Sequence, residues 1–283
     1  MINSDSRVTE DMGLKKKSFA GSWEGRFATE EYEAVMEQRK DVALTVDWEN
    51  GGSDVLSGAE IYKVIFDSNQ PWMLSANGTI FTTEFEGVIP GILKRWYSER
   101  KDLQKMLKKA KDAGNAAEIE YWDKRQLVKK INLNSLYGAI LNPGCRFFDK
   151  RIGQSTTLTG RAITKHMGAE TNKMLTGVYD HTGDTIVYGD TDSVYFSADK
   201  QSKEQGITLD MDSAITLYDT ISDTVSDTFP QFAKTAFNVG KTSGEILKAG
   251  REVVGRAGLF ITKKRYAINV LDLEGWQPEG GKL

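Results

Sequence analysis

The sequence IVYGDTDSVYF, residues 186–196, places two aspartates at the centre of a strand–turn–strand pattern. Its outer residues are β-branched or aromatic, whereas residues 189–193 are small and polar, and this pattern predicts a β-hairpin. Because residues i and i+2 of a strand share a face, we expect the carboxylates of Asp190 and Asp192 to lie close together. Such a pair repels unless a cation or a proton lies between the two groups. The hairpin is therefore a metal site or an ordinary polar turn.

The composition is that of an ordinary soluble globular protein. The chain has 283 residues, of which 39% are hydrophobic and 27% charged, enough for one large domain or two smaller ones. A single cysteine, Cys145, excludes an internal disulfide and fits a reducing compartment. One cysteine and two histidines cannot form a standard zinc site, so we expect oxygen ligands for any metal, as magnesium has. No segment is typical of a signal peptide or a membrane span, which predicts a cytoplasmic protein.

The net charge of −3 is unusual for a protein that binds nucleic acid, since such proteins are usually basic. The distribution of charge matters more for binding than the total does. Basic residues concentrate in 94–130 and 248–265, and acidic residues in the first 60 positions and in 199–227. This uneven pattern is compatible with DNA binding without arguing for it.

Hydrophobic periodicity predicts an α+β fold. The expected elements are a helix at 27–39, a loop at 47–58, a helix or strand at 60–67, a hairpin at 72–81, a helix from 90, a helix from 116 to about 137, a helix near 154–174, the hairpin at 186–196, a helix from 211 to about 237, and strands within 258–273. Asn77-Gly78 is expected to supply two positive-φ residues to the first hairpin turn. The helices on either side of Gly114-Asn115 predict a projecting helical hairpin.

The second of these two helices carries polar residues on one face. Lys130, Asn134, Tyr137 and Gly138 follow each other at i, i+4, i+7 and i+8. A lysine is a compact cation for phosphate oxygens, and a glycine lets a ligand approach the backbone closely. Taken alone, a lysine on a helix is more often simply solvated.

A third group is KKRY at residues 263–266, within an alternating strand pattern. Cations on a strand edge can follow phosphates, and a lysine can donate to minor-groove acceptors, which barely distinguish base sequences. A charged edge strand that resists aggregation is the commoner use of such residues.

Three strings together resemble motifs of family B (pol-α-like) DNA polymerases, in the order found in that family. YGDTDS at 188–193 resembles the palm carboxylate hairpin, residues 130–138 resemble the fingers motif K-x-x-x-N-S-x-Y-G, and residues 263–266 resemble the K-K-R-Y motif. The resemblance extends over about residues 87–274 and is strongest to replicative polymerases of large tailed bacteriophages.

The resemblance implies a role for each matching residue. Asp192 would bridge two Mg²⁺ ions, with Asp190 as a nearby ligand. Lys130 would contact the incoming triphosphate with Asn134 beside it, and the residues packed near the nascent base pair would be Tyr137 and Gly138. The group that would hold the primer terminus is Lys263, Lys264, Arg265 and Tyr266.

Weaker matches add three residues. Arg100, in ERKD at 99–102, would be a second triphosphate contact, although the lysine usual four residues later is Gln104 here, beside Lys105. Glu252 and Glu274 fall where the family has palm glutamates.

The resemblance also implies a domain organisation. We expect an N-terminal palm-proximal segment at 1–88, a fingers helical hairpin at 89–142, and a palm at 143–283 with an antiparallel sheet and packed helices. A third palm carboxylate, in a motif like D-x-x-S-L-Y-P, is not found in the sequence, nor are an exonuclease or a thumb. The resemblance implies primer–template DNA and dNTPs as partners, and a sliding clamp. The missing parts imply a second polypeptide that supplies them.

Three functions stay open. In the first, the chain is the palm and fingers part of a DNA-directed DNA polymerase, either truncated or as one half of a split enzyme. It would act in viral DNA replication in the host cytoplasm. Alternatively it is a non-catalytic DNA- or nucleotide-binding fragment. A phosphohydrolase with a two-aspartate metal site explains neither the helix motif nor the KKRY string.

Overall fold

The computed structural model describes residues 40–48 and 50–277, so the helix predicted at 27–39 lies outside the described residues. The elements are β1 (Ala43–Asp47), β2 (Ser53–Ser57), α1 (Gly58–Tyr62), a π-helical turn (Lys63–Asp67), β3 (Trp72–Leu74), β4 (Ile80–Thr82), α2 (Val88–Asp112), α3 (Ala116–Ile140), α4 (Lys150–Thr176), β5 (Ile186–Asp190), β6 (Ser193–Phe196), α5 (Asp199–Glu204), α6 (Met211–Phe237), α7 (Lys241–Gly244), β7 (Val253–Thr262) and β8 (Arg265–Leu273). Consecutive strands pair into two-stranded antiparallel sheets. This mixture of helices and small sheets confirms the predicted α+β class.

Backbone contacts divide the chain into two units. The helical unit is Thr82–Gln154, and the sheet unit comprises Met1–Phe81 and Ser155–Leu283.

The helical unit is built on two long helices that pack against each other, α2 and α3. The connection is three residues long, and Gly114 within it has a φ of 66°. The side chain of Asn115 caps α3 by accepting a hydrogen bond from the Glu118 N–H at 3.3 Å. The predicted helical hairpin and its break at Gly114-Asn115 are both confirmed.

The core of the sheet unit is organised by α6, whose buried residues recur at helical spacing. Phe232 is fully buried together with Leu44 of β1 and Ile65 of the π-helical turn. A second cluster, Ile221, Val225 and Phe229, packs against Met167 of α4 and Phe196 of β6. The aspartate hairpin is therefore attached to α6 through Phe196.

The predicted loop at 47–58 is partly wrong, because Ser53–Ser57 forms strand β2 against β1. Its side chains give little signal, since they are polar or exposed, and Val55 is 70% exposed. Main-chain hydrogen bonds to β1 hold this strand, and the side-chain pattern does not report them. Of the two alternatives for 60–67, the helical one is confirmed.

The hairpin at 72–81 is confirmed, but its turn differs from the prediction. Among the described residues of this turn only Gly78 has a positive φ, at 82°, and Asn77 does not. The N–H of Ser75 donates to the Thr79 carbonyl, and the N–H of Gly78 donates to the Ser75 carbonyl. This is a three-residue loop, in which one left-handed residue suffices.

A buried histidine on α4 stabilises the sheet unit. The ring of His166 stacks on Phe232 with 4.0 Å between centroids. Its two nitrogens lie 2.8 Å from the hydroxyl oxygens of Tyr179 and Thr228. Burial, helped by the charge of Lys173, lowers the pKa of His166 to about 3. The ring is therefore neutral at physiological pH.

We expect the free energy of unfolding to fall by about 2 kcal/mol between pH 7.5 and 5, because the unfolded chain binds a proton on His166 that the folded chain excludes. The contribution of His166 to the free energy of unfolding is fully present above its unfolded pKa of 6.5. It is lost as the pH falls towards the folded pKa of about 3. Urea unfolding of the wild type and of His166→Gln at a series of pH values measures this. The variant should show a flatter pH dependence, and a flat wild-type profile would contradict a buried neutral ring.

Candidate functional site

The aspartate hairpin forms as predicted, with one difference in the position of Asp192. Asp190 pairs with Ser193, which leaves Thr191 and Asp192 as a two-residue turn. The prediction that both aspartates share a strand face is therefore wrong, because Asp192 lies in the turn and not in a strand. Thr191 has a φ of 53°, and its carbonyl accepts a hydrogen bond from Thr164 Oγ1 of α4 at 2.9 Å.

The two carboxylates have different surroundings. The side chain of Asp190 is 23% exposed, and its Oδ2 lies 3.9 Å from Lys264 Nζ. Its Oδ1 accepts a hydrogen bond from Thr191 Oγ1 at 3.3 Å. Asp192 is exposed. An ion pair at this distance and exposure contributes little to stability, so a stronger cation can displace the lysine.

The KKRY string forms a turn, which corrects the prediction that it lies within a strand. Thr262 of β7 pairs with Arg265 of β8, so Lys263 and Lys264 are the two residues between the strands. Lys264 has a φ of 62°. We call Lys263–Lys264 the basic turn. Only Arg265 and Tyr266 belong to a strand, and all four residues are exposed.

The structure brings the aspartate hairpin and the basic turn together through tyrosines that the sequence analysis did not single out. The N–H of Lys264 donates to Tyr188 Oη at 2.9 Å. The hydroxyl oxygens of Tyr195 and Tyr266 are also 2.9 Å apart. The signal available in the sequence was the pair of tyrosines that flank the GDTDS string.

A cavity of about 570 Å³ lies beside the hairpin in the sheet unit. Asp192 and Glu252 both line it, along with the edge of β6 and the start of β7. The structure thus places one of the two predicted palm glutamates at the same cavity as Asp192. Glu274 does not line it, although its N–H donates to the Glu252 carbonyl at 2.8 Å.

The chain around Glu252 is held by its neighbour Arg251, whose side chain is 12% exposed. The guanidinium donates from Nε to Asp219 Oδ1 at 2.6 Å and from Nη1 to Asp272 Oδ1 at 2.5 Å. Burial opposes the ionisation of Asp272, but hydrogen bonds from the Gly275 N–H and Arg251 outweigh it and keep the pKa of Asp272 below its usual value. Arg251 therefore ties the start of β7 to α6 and β8.

A magnesium site at the hairpin tip has suitable donor atoms but few of them. Within residues 40–48 and 50–277, no group of three or more His, Cys, Asp and Glu residues is placed to hold a metal. Asp190 and Asp192 offer carboxylate oxygens, and Mg²⁺ is commonly bound by one or two carboxylates together with substrate phosphates. The residues at the tip fit this kind of site.

The predicted polar face of α3 is exposed in the helical unit. Lys130, Asn134 and Gly138 are exposed, and Tyr137 is half-buried. Lys130 makes no ion pair with any described residue, whereas its neighbour Lys129 pairs with Glu99 of α2. The Lys130 ammonium is therefore available to a ligand.

Arg100 is directed toward α3 and is only partly exposed. Its Nε donates to Gln126 Oε1 at 3.3 Å, and Gln126 lies one helical turn before Lys130. Lys105, the other candidate on α2, pairs with Asp102 at 3.0 Å on an exposed surface. The geometry thus favours Arg100 over Lys105 as the α2 residue that lies near Lys130 of α3.

The charge of the chain differs between its two units. The helical unit has 15 Lys and Arg residues against nine Asp and Glu, whereas the whole chain has a net charge of −3. A locally positive unit attracts anions even when the whole protein is acidic. As for membranes, the part of the chain that the structure describes has no helix long and apolar enough to cross a bilayer.

Comparison with known proteins identifies relatives among DNA polymerases. A family model, DNA polymerase family B, matches residues 54–231. The chain is 29% identical over 170 residues to a DNA-directed DNA polymerase of Escherichia phage RB69, covering 56% of this chain and 19% of that protein. It is 30% identical to the DNA polymerase delta catalytic subunit of Oryza sativa subsp. japonica, covering 64% of this chain and 14% of that subunit.

A third relative, the DNA-directed DNA polymerase of Enterobacteria phage T4, is 24% identical and matches 71% of this chain. This chain spans 14–29% of the length of these three relatives. Since the family model matches more than half of the sequence, the chain belongs to DNA polymerase family B. This is the family that the sequence motifs predicted.

Proposed function

We propose that this chain is the palm and fingers part of a DNA-directed DNA polymerase. It would help to transfer nucleotides from dNTPs to a primer 3′-OH under the direction of a template. The observation that carries the proposal is the contact between the aspartate hairpin and the basic turn, in which Lys264 Nζ lies 3.9 Å from Asp190 Oδ2. The first group suits metal ions and the second suits a nucleic-acid backbone.

The proposed fingers, residues 89–142, bind the incoming nucleotide. Lys130 and Arg100 neutralise charge on the triphosphate, which is the main task of protein groups in phosphoryl transfer. Asn134 lies one turn from Lys130 on the exposed face and orients the same ligand. Tyr137 and Gly138, on the next turn, accommodate the nascent base pair.

The proposed palm, residues 143–283, holds the reacting groups, and residues 1–88 are a palm-proximal segment. Asp192 and Asp190 would hold two Mg²⁺ ions, and such ions would supply stabilisation of the negative charge on the attacking 3′-oxygen and the leaving pyrophosphate. Glu252 lines the same cavity as Asp192 and adds negative charge there. Glu274, the other predicted palm glutamate, is joined to Glu252 by a hydrogen bond between their backbones, and no separate role is proposed for its carboxylate.

The basic turn and the start of β8 bind the primer terminus. Lys263, Lys264 and Arg265 are exposed, so phosphates or minor-groove acceptors can reach their charges, in the case of Lys264 by replacing its weak ion pair with Asp190. Tyr266 anchors this segment through its contact with Tyr195. Contacts of this kind are largely independent of base sequence, as extension of any primer requires.

The proposed activity includes a second polypeptide. Two carboxylates at a turn are few fixed ligands for two metal ions, and a partner that adds a third completes the site. We also propose that the partner supplies the exonuclease, that a sliding clamp assists, and that the complex acts in viral DNA replication in the host cytoplasm.

Primer extension tests the proposal. The chain, alone and with the polypeptide that co-purifies with it, is incubated with labelled primer–template, dNTPs and MgCl₂. We expect template-directed addition that depends on Mg²⁺ in at least one of the two preparations. Binding of primer–template without extension in both would favour a non-catalytic binding fragment, and the absence of binding would contradict the proposal.

A further inference from the structure

We infer that the hydroxyl groups of Tyr188 and Tyr195 are positioning groups that lock the basic turn to the aspartate hairpin. This inference rests on the proposed function, because it gives the lock the task of holding the primer-binding cations in a fixed place relative to Asp190. Neither tyrosine touches a reacting atom in this scheme. Each acts through the segment that it holds.

Tyr188 fixes the backbone of the basic turn. Lys264 is a non-glycine residue with a φ of 62°, a conformation that L-residues adopt only when their surroundings hold it. The hydrogen bond from the Lys264 N–H to Tyr188 Oη, 2.9 Å long, is such a constraint. It joins residues that are 76 positions apart in sequence and belong to different hairpins.

Tyr195 holds Tyr266, the second residue after the turn. Its Oη lies 2.9 Å from Tyr266 Oη. Burial, reinforced by the contact with Tyr266, raises the pKa of Tyr195 to about 12. The Tyr195 phenol therefore stays protonated at physiological pH and keeps its hydrogen bond with Tyr266.

The rings of these tyrosines form a closed cluster with Phe260 of β7. All six pairs among Tyr188, Tyr195, Phe260 and Tyr266 have centroids between 5.2 and 5.9 Å apart. Aromatic pairs at such distances attract each other without any contribution from their hydroxyl groups. A Tyr→Phe change therefore keeps the packing between the hairpins and removes only the hydrogen bond.

The lock has a consequence for charge placement. With the turn held, Lys264 Nζ stays 3.9 Å from Asp190 Oδ2, and the primer phosphates meet the lysines at a fixed distance from the carboxylates. With the turn released, the lysine ammonium groups sample more positions. Ordering them again on binding then costs conformational entropy, so the affinity for primer–template falls.

Tyr188→Phe in the full chain tests the inference by two measurements. Hydrogen exchange at the Lys264 amide is expected to become about 10-fold faster, as the loss of one ordinary hydrogen bond predicts. The Kd for labelled primer–template is expected to rise about 3–10-fold. Tyr195→Phe, which removes the second contact, should raise the Kd in the same direction.

Tyr218→Phe is a matched control. Tyr218 Oη accepts a hydrogen bond from the Ala198 N–H at 3.2 Å and its ring packs on Phe196, so the same chemical group is lost in the same unit from a residue whose contacts do not include the basic turn. The control should leave the Kd and the Lys264 exchange rate unchanged. Thermal unfolding of all three variants reports any general loss of stability.

The outcomes separate this inference from the proposed function. A wild-type chain that binds primer–template, with Tyr188→Phe binding equally well, overturns the inference alone. An equal rise in Kd for Tyr188→Phe and Tyr218→Phe also overturns it, because the effect is then general. A wild-type chain that does not bind primer–template overturns the proposed function and the inference together.

Discussion

Asp192→Asn is expected to reduce primer extension by at least about 10²–10³-fold in a complex that contains this chain, because loss of one preorganised electrostatic group at a reacting centre has an effect of this size. The change removes a charge from the exposed turn residue of the aspartate hairpin and leaves its shape nearly the same. Asparagine is also a good turn residue, so the hairpin should still form. Single-turnover extension at saturating primer–template measures the loss.

Asp184→Asn is the matched control for this change. Asp184 also lies in the sheet unit, its side chain is 86% exposed, and its only described ion pair is a 4.0 Å contact with Lys200. The control should extend primers at the wild-type rate, and both variants should bind primer–template normally. Extension by Asp192→Asn at the rate of the control would remove Asp192 from the catalytic centre.

Lys130→Ala should raise the KM for dNTP by about 10–100-fold, because a hydrogen bond to a charged group contributes about 1.5–3 kcal/mol. The side chain is exposed on α3 and has no acidic partner among the described residues, so its removal leaves no buried charge unpaired. Alanine is a strong helix former, and α3 should keep its structure. Steady-state extension over a range of dNTP concentrations measures the change.

The control for this variant is Lys124→Ala on the same helix. Lys124 is exposed and pairs with Glu120 at i,i+4, a contact that contributes only a few tenths of a kcal/mol. Its KM for dNTP should stay at the wild-type value, and the Kd for primer–template should change little in either variant. If both lysines change KM equally, the effect reflects the charge of the whole helix and not a contact made by Lys130.

Much of the helical structure follows directly from the sequence. Helices α2 and α6 were predictable because their apolar residues recur every three to four positions, and α6 even has its predicted bounds. Helix α4 begins at Lys150, four positions before the predicted start near 154. Boundaries depend on local caps, which periodicity does not report.

The strands and turns were less predictable, for reasons visible in particular residues. β2 is defined by backbone pairing with β1, and its side chains carry no clear alternation. The basic turn contains two lysines and none of the usual turn residues, so nothing in the sequence interrupts the alternating strand pattern there. Lys264 has a left-handed conformation, and its N–H donates to Tyr188, a residue 76 positions earlier in the sequence.

The site shows the same contrast between signals local in sequence and contacts between distant residues. Short strings identified Asp190, Asp192 and Lys130 as candidates, because their chemistry is local to a few residues. The hydrogen bonds of Tyr188 with the basic turn and of Tyr195 with β8 join residues more than 70 positions apart in sequence. A single sequence contains no direct information about such pairs, and the structure alone reveals them.

The conformation of Thr191 has a consequence for how this position can vary in evolution. A β-branched residue with a φ of 53° is unfavourable by about 1–2 kcal/mol, and glycine would remove that penalty. Glycine would also give the unfolded chain more freedom, which costs a comparable amount. The two effects nearly cancel, so folding stability exerts little selection between threonine and glycine here. The group that threonine has and glycine lacks is the hydroxyl that donates to Asp190 Oδ1, so a change to glycine would alter the surroundings of that carboxylate with little effect on folding stability.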